Sequence, residues 1–368
     1  MRIGLLVTSI GKFGQQGFYN TQEVGLAKAL SVLVDEVKVY KLVSLQQEKS
    51  QEKISGCANA SILFLPSKSF GNNGIIDLSV LDKTLDALVY FSDTQFAVPK
   101  VYQWAKKNNV KFFPYIGVIE SHSTNKVKQL FVNWMFNRNL KVYRNSHCLV
   151  KTPTVEKQLH SLGVKKITVT PVGLDLSLMH EGLELVDKKQ LKEKYGFKES
   201  DRVLLFIGRL IDEKQPLKMI DLFIKLKEKD ENYKLLLVGD GPLKTEVNER
   251  IIRNGLLADI IQIQKIPNND IWELYRLAEC FVNLNQQEIF GMAILEAMYY
   301  GCKVVAWKAP GPELIIEDGV SGYLVDTEVM LINKIIDSKD ISENAHETIN
   351  KKFTWDKTAK KIQILAES

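Results

Sequence analysis

Apolar positions along the chain fall into short runs separated by stretches of helical period. "MRIGLLVTSI" predicts a buried first strand, followed by the loop "GKFGQQGFYN" and an amphipathic helix over "TQEVGLAKALSVL". "EVKVYKL" alternates as a second strand would. "ASILFLPS", "DALVYFS" and "VKFFPYIG" are further short apolar runs, with a helical stretch "VPKVYQWAKKNN" among them. Strand and helix alternating at this interval predict parallel βαβ units.

The pattern then restarts. "DRVLLFIGRL" reads as a strand ending in a glycine turn, "QPLKMIDLFIKLKEKD" as an amphipathic helix, and "YKLLLVGDGP" as a second strand with a glycine turn. "ADIIQIQKIP", "CFVNLN", "CKVVAWK" and "SGYLVD" continue the strands. "NDIWELYRLAE" and "FGMAILEAMYYG" supply helices, the latter closed by Gly301 at its C′ position. The fold class is therefore α/β with two doubly wound, Rossmann-like domains. The boundaries are expected at residues 1–170, a charged linker of weak period at 171–200, a second domain at 201–345, and a C-terminal helix at 346–368 that packs back on the first domain.

Composition narrows the class. Of the 368 residues, 45% are hydrophobic and 25% charged, ordinary values for a globular protein of two domains. No run approaches the roughly 18–20 apolar residues that span a bilayer. The first apolar run ends without a cleavage pattern, and Cys57, Cys148, Cys280 and Cys302 are scattered without CxxC spacing, so reduced thiols and a cytoplasmic location are expected. The net charge of +5 does not call for a nucleic-acid partner. Its distribution is uneven: from Lys126 to Lys166 the only acid is Glu156.

Candidate chemistry lies just after strands, where open α/β sheets bind ligands. In "EIFGMAILE", Glu288 falls in a loop and Gly291 opens the next helix. The amides of Gly291, Met292 and Ala293 would face an anion, and Glu296 sits about one turn inside. A pair of carboxylates flanking a phosphate site suits sugar hydroxyls. The plain alternative is a helix start with an ordinary helical glutamate. In "FIGRLIDEKQP" the strand ends at Gly208, and Arg209 and Lys214 follow as a diphosphate clamp. "VGDGP", with Gly239, is a third glycine turn and is weak evidence by itself.

Glu288-x7-Glu296, "GRLIDEKQP", "VGDGPL" and "GPELIIEDGVSGYLV", in this order across residues 203–326, resemble the retaining glycosyltransferases of family 4, which have the GT-B fold. The first half matches more loosely. The resemblance implies two Rossmann-like domains facing a cleft, a nucleotide-sugar donor held mostly by the second, and an acceptor held by the first. It further implies that Arg209 and Lys214 neutralise the diphosphate and that Glu288 contacts the transferred sugar. The amides after Phe290 would meet sugar and phosphate, Glu296 the ribose, and the loop around Lys265 and Ile266 the base. It implies no cofactor and no catalytic metal. Gly14 and Gly17 stand where the family often has adjacent glycines. His122 stands where a histidine often lies near the reacting sugar.

In "NKVKQLFVNWMFNRNLKVYR", Val127, Leu130, Phe131, Trp134 and Met135 are spaced as a core-facing stripe. Val132 and Phe136 lie off that stripe beside Arg138, Lys141 and Arg144, so the same stretch also suits an anionic lipid surface. The expectation is a retaining transferase that uses a UDP-sugar ahead of a GDP-sugar. It acts on a hydroxyl of a glycan or lipid-linked glycan in bacterial surface polysaccharide or glycolipid assembly, with peripheral contact at the inner membrane face. A nucleotide-sugar epimerase of the same fold and a non-catalytic partner subunit remain alternatives.

Overall fold

The computed structural model describes all residues except 11–21, 118, 120–125, 181 and 183–185, and residues 126–128 in backbone only. The chain divides into two compact units. One takes in the described residues up to Asp175 together with Thr354–Ser368, and the other is Leu176–Phe353.

In the first unit the elements run β1 (Arg2–Val7), α1 (Gln22–Ser31), β2 (Glu36–Ser44), β3 (Ser50–Lys53), β4 (Ala60–Ser67), β5 (Ser69–Phe70), β6 (Asn73–Gly74), β7 (Ala87–Phe91), α2 (Val98–Lys107), β8 (Lys111–Ile116), α3 (Lys126–Tyr143), β9 (Cys148–Val150), α4 (Pro153–Ser161) and β10 (Ile167–Val169). Eight described strands form one sheet in the order β10-β9-β8-β7-β1-β2-β4-β3. All pairs are parallel except β3 with β4. Strands such as β7 read as unbroken apolar runs because the sheet is covered on both faces. β5 and β6 make a separate small hairpin.

The second unit contains α5 (Lys188–Lys194), β11 (Arg202–Ile207), α6 (Pro216–Lys227), β12 (Tyr233–Val238), α7 (Lys244–Arg253), β13 (Ile260–Ile263), α8 (Ile271–Leu277), β14 (Cys280–Asn283), α9 (Met292–Tyr299), β15 (Lys303–Trp307), α10 (Pro310–Ile315), β16 (Tyr323–Val325), α11 (Glu328–Ile336) and α12 (Ser342–Lys352). Its sheet is parallel, in the order β13-β12-β11-β14-β15-β16. The order reverses between β11 and β14, a topological switch point. Gly301 follows α9 with φ 70°, the left-handed C′ conformation read from the sequence.

Two placements differ from the sequence expectations. The segment 346–368 is not one helix: α12 ends at Lys352, Thr354 is extended, and α13 (Trp355–Glu367) begins afresh in the first unit. Phe353 sits against Phe290 of the second unit's own core, which holds α12 there while the chain turns away. The stripe on α3 is the other correction. Leu130, Phe131 and Trp134 are exposed, whereas Met135, Phe136, Leu140 and Tyr143 are buried. The ridge Phe136, Leu140, Tyr143 has equally good helical spacing, and the sheet takes that ridge.

α13 lies along α1. Thr358 Oγ1 donates to the carbonyl of Pro171 at 2.6 Å, and Lys111 Nζ to that of Ala366 at 2.7 Å. Trp355 is the centre of this seam. A Cβ on Gly25 would stand 2.3 Å from its indole nitrogen, and one on Gly173 would stand 2.2 Å from its backbone nitrogen. Backbone cannot yield as a flexible side chain can. Gly173→Ala is therefore expected to cost roughly 1–3 kcal/mol, an overpacking penalty, measured by urea denaturation against wild type. An unchanged midpoint would contradict this account of the seam.

Candidate functional site

The site is built on the carboxyl edge of the second unit's sheet. β11 ends at Ile207, and Gly208 and Arg209 turn the chain into a short 3₁₀ turn, Asp212–Lys214. Gln215 then takes a left-handed conformation, φ 55° and ψ 47°, before Pro216 opens α6. Pro pre-sets the first helical φ, so the helix begins sharply after Lys214.

The glycine turns interlock. Gly208 N–H donates to Val238 at 3.0 Å, Leu210 N–H to Asp240 at 3.0 Å, and Leu243 N–H to Leu210 at 3.0 Å. A Cβ on Gly239, at φ 149°, would fall 1.9 Å from the Gly208 carbonyl oxygen. "VGDGP" thus serves to brace the turn that carries Arg209, which is itself exposed.

Across the switch point, the loop after β14 approaches this turn. Lys214 Nζ donates to Glu288 Oε2 at 2.6 Å. The same oxygen accepts from Asn285 Nδ2 at 3.3 Å and Asn283 Nδ2 at 3.4 Å. Asn285 is 1% exposed. It also donates to Glu213 Oε1 at 3.1 Å, so one amide ties both loops together. Its Oδ1 accepts from the Gln287 N–H at 2.9 Å. With three partners on Oε2, Glu288 Oε1 has none among the described residues.

The remainder of the loop is held from the other side. Gly311 N–H at the start of α10 donates to the Glu288 carbonyl at 2.8 Å. Gly291 is left-handed, φ 95°, and a Cβ there would meet Glu288 Cγ at 3.3 Å and Ile294 Cδ1 at 2.9 Å. Glycine therefore lets the Glu288 stem lie close to the helix start. Phe290 is buried, and Met292 and Ala293 form the first turn of α9, whose leading N–H groups have no helical acceptor.

Glu296 is not part of this contact set. It is buried on α9 and accepts a hydrogen bond from the Tyr275 hydroxyl of α8 at 2.8 Å. Burial pushes its carboxyl up to about 7, against the opposing effect of the Tyr275 bond. After β13, Lys265 is exposed and Ile266 buried. Gln264 of the same loop donates to Asp240 at 2.9 Å, linking it to the glycine turn after β12. Gly14, Gly17 and His122 lie outside the described residues. Among the described residues, no group of three or more His, Cys, Asp or Glu is placed to hold a metal ion.

Asn283, Asn285, Glu213 and Tyr275 were not singled out from the sequence. Two asparagines at the end of an otherwise apolar strand were the available signal, since buried amides need partners.

Residues 187–355 match the family model described as glycosyl transferases group 1. By this match that part of the chain is similar to group 1 glycosyl transferases. The match extends beyond the 203–326 stretch on which the resemblance was read. N-acetyl-alpha-D-glucosaminyl L-malate synthase of Bacillus anthracis is 26% identical over 188 residues, 49% of this chain and 49% of that protein. Alpha-monoglucosyldiacylglycerol synthase of Acholeplasma laidlawii is 22% identical over 172 residues, 46% of this chain and 43% of that protein. The chain thus spans about half the length of the curated relatives it matches. The structure of Anabaena HepE in complex with UDP and glucose superposes over 100% of both chains, with TM-score 0.69 and 18% identity. With its two parallel-sheet units, the fold is GT-B.

The second unit carries a pH signature at Glu296. Its folded-state pKa is raised, so the stability from its protonation is complete below the unfolded value of 4.5 and is lost as pH rises through about 7. Glu296→Gln keeps an acceptor for Tyr275 and never ionises. Its stability relative to wild type should grow by roughly 2–3 kcal/mol from about pH 5 to about pH 8, the differential such a shift implies. Urea denaturation at the two pH values checks this, and a pH-independent difference would contradict it.

Proposed function

We propose that the chain is a retaining, metal-independent glycosyltransferase of family 4. It moves a sugar from a UDP-sugar to a hydroxyl of a glycan or lipid-linked glycan, in bacterial surface polysaccharide or glycolipid assembly. The observation that carries this reading is the Lys214–Glu288 pair across the β11/β14 switch point, 2.6 Å apart beside the start of α9. Open α/β sheets bind nucleotides at that place. Structural neighbours have been solved in complex with UDP and glucose and with UDP and GlcNAc, which supports the choice of base.

In this reading the donor diphosphate lies over the first amides of α9 and is met by Arg209 and Lys214. Those two cations offset the charge that grows on the leaving group. Glu288 gives up Lys214 to the phosphate and turns its carboxylate to a sugar hydroxyl, still steered by Asn283 and Asn285. Glu296 accepts the ribose hydroxyls. The loop at Lys265 and Ile266 flanks the base, with Gly208 and Gly239 keeping the backbone low. The departing phosphate oxygen takes the acceptor proton on the same face, which retains the anomeric configuration. Gly14 and Gly17 belong to the acceptor-side loop, and His122 acts near the reacting sugar.

A thermal-shift panel of UDP-, GDP-, ADP- and dTDP-sugars tests the donor. Saturating UDP-sugar is expected to stabilise by about 2.7 kcal/mol at 100 times its Kd, and a preference for another base overturns the choice. Lys214→Ala and Arg209→Ala should each lower kcat about 10²–10³-fold, the usual effect of losing one charge-stabilising group, while the circular dichroism spectrum shows the fold intact. Glu288→Gln frees Lys214 of its counter-charge, so free UDP should bind more tightly while kcat falls. Glu296→Gln should act chiefly on donor KM. Activity should persist in excess EDTA; loss restored by Mg²⁺ would overturn the metal-independent reading.

A further inference from the structure

An aromatic cluster on the first unit faces solvent. Phe70, on the β5–β6 hairpin, is 65% exposed, and Leu130, Phe131 and Trp134 on α3 are 70%, 39% and 57% exposed. The ring of Phe70 lies 5.8 Å from Phe96 and 6.1 Å from Phe131. Phe131 lies 5.7 Å from Phe96 and stacks on Trp134 at 6.0 Å. Two elements distant in sequence therefore present one continuous apolar face, of a kind that marks an interaction surface.

The charged side chains on its two exposed elements, α3 and the segment leading into β5, are basic. Leu130, Trp134 and Arg138 follow each other at four-residue spacing on α3. The Arg138 guanidinium carbon is 5.9 Å from both the Phe96 and Trp134 ring centroids. Arg138 donates to the Phe96 carbonyl, and its buried Nε has no partner among the described residues. Residues 126–143 contain Lys126, Lys128, Arg138 and Lys141 and no acid. Lys68 stands two residues from Phe70, and no acid occurs between Lys68 and Asp77. A second copy of the chain placing the same surface here would set cation against cation. Tryptophan and phenylalanine beside lysine and arginine are instead the composition of a protein face resting in lipid headgroups.

We propose that this face docks on an anionic lipid bilayer. Phe70, Leu130, Phe131 and Trp134 enter the headgroup layer, and Lys68, Arg138 and Lys141 meet lipid phosphates. This deepens the reading of a lipid-linked acceptor, yet it is tested without an acceptor. The full chain is sedimented with vesicles of phosphatidylcholine with and without phosphatidylglycerol, across a salt series. Binding is expected with phosphatidylglycerol at low salt and should weaken as salt screens the headgroups. Phe131→Ser with Trp134→Ser should lower the partition coefficient roughly tenfold or more, since both apolar anchors are lost. Lys68→Gln with Lys141→Gln should remove the phosphatidylglycerol preference. Wild-type protein that stays in the supernatant with anionic vesicles overturns the proposal. So does a dimer, seen by sedimentation equilibrium, that Trp134→Ser dissolves. UDP binding by calorimetry on the same preparation keeps the readings apart: intact UDP binding without vesicle binding sinks only the surface, and the converse sinks only the donor site.

Discussion

Everything at the candidate site depends on β11 lying beside β14. These strands are parallel neighbours, with Leu204 opposite Cys280 and Leu205 opposite Phe281, although two βα units separate them in the chain. Parallel pairing forces both strands to end on the same edge. The turns that follow them therefore leave together, and because the order reverses here, their helices go to opposite faces and leave a crevice. Lys214 and Glu288 meet in that crevice. Neither residue has a reason to approach the other except the pairing beneath them.

The turns are held by close backbone approach more than by side chains. Gly208 and Gly239 touch through a carbonyl that no Cβ could tolerate. Gly311 approaches Phe290 in the same manner, with 2.2 Å from an added Cβ to the Phe290 oxygen. All four contacting glycines (Gly208, Gly239, Gly291 and Gly311) fall in motifs that carry the family resemblance, but their immediate role is to bring neighbouring loops to van der Waals distance. A loop so braced positions Arg209, Lys214 and Glu288 without needing a bound ligand to order it, which is what charge stabilisation requires.

Glu296 shows the opposite economy. A carboxyl buried against Tyr275, with its pKa near 7, costs stability when ionised. An apolar residue would pack there more favourably. On the proposed function its charged form becomes favourable once a pair of hydroxyls is presented to it. The exposed rings on α3 are a second place where stability gives no account of the residues.

Sequence by itself determined the repeating βα pattern, the two-sheet architecture and the positions of most strand ends. These follow from local periodicity and from glycine, whose conformational demands are local too. It also singled out Arg209, Lys214, Glu288 and Glu296, because charged residues just after apolar runs stand out in one dimension. It did not determine which helix face is buried: on α3 two ridges fit the spacing, and only packing against the sheet chose Phe136, Leu140 and Tyr143 over Leu130 and Trp134. Nor did it show that Asn283 and Asn285 steer Glu288, that Tyr275 holds Glu296, or that the chain breaks at Thr354 into two helices. Each of these is a contact between residues far apart or on different elements, set by strand order and register, and a side chain's partner across an interface leaves no periodic trace in the chain that carries it.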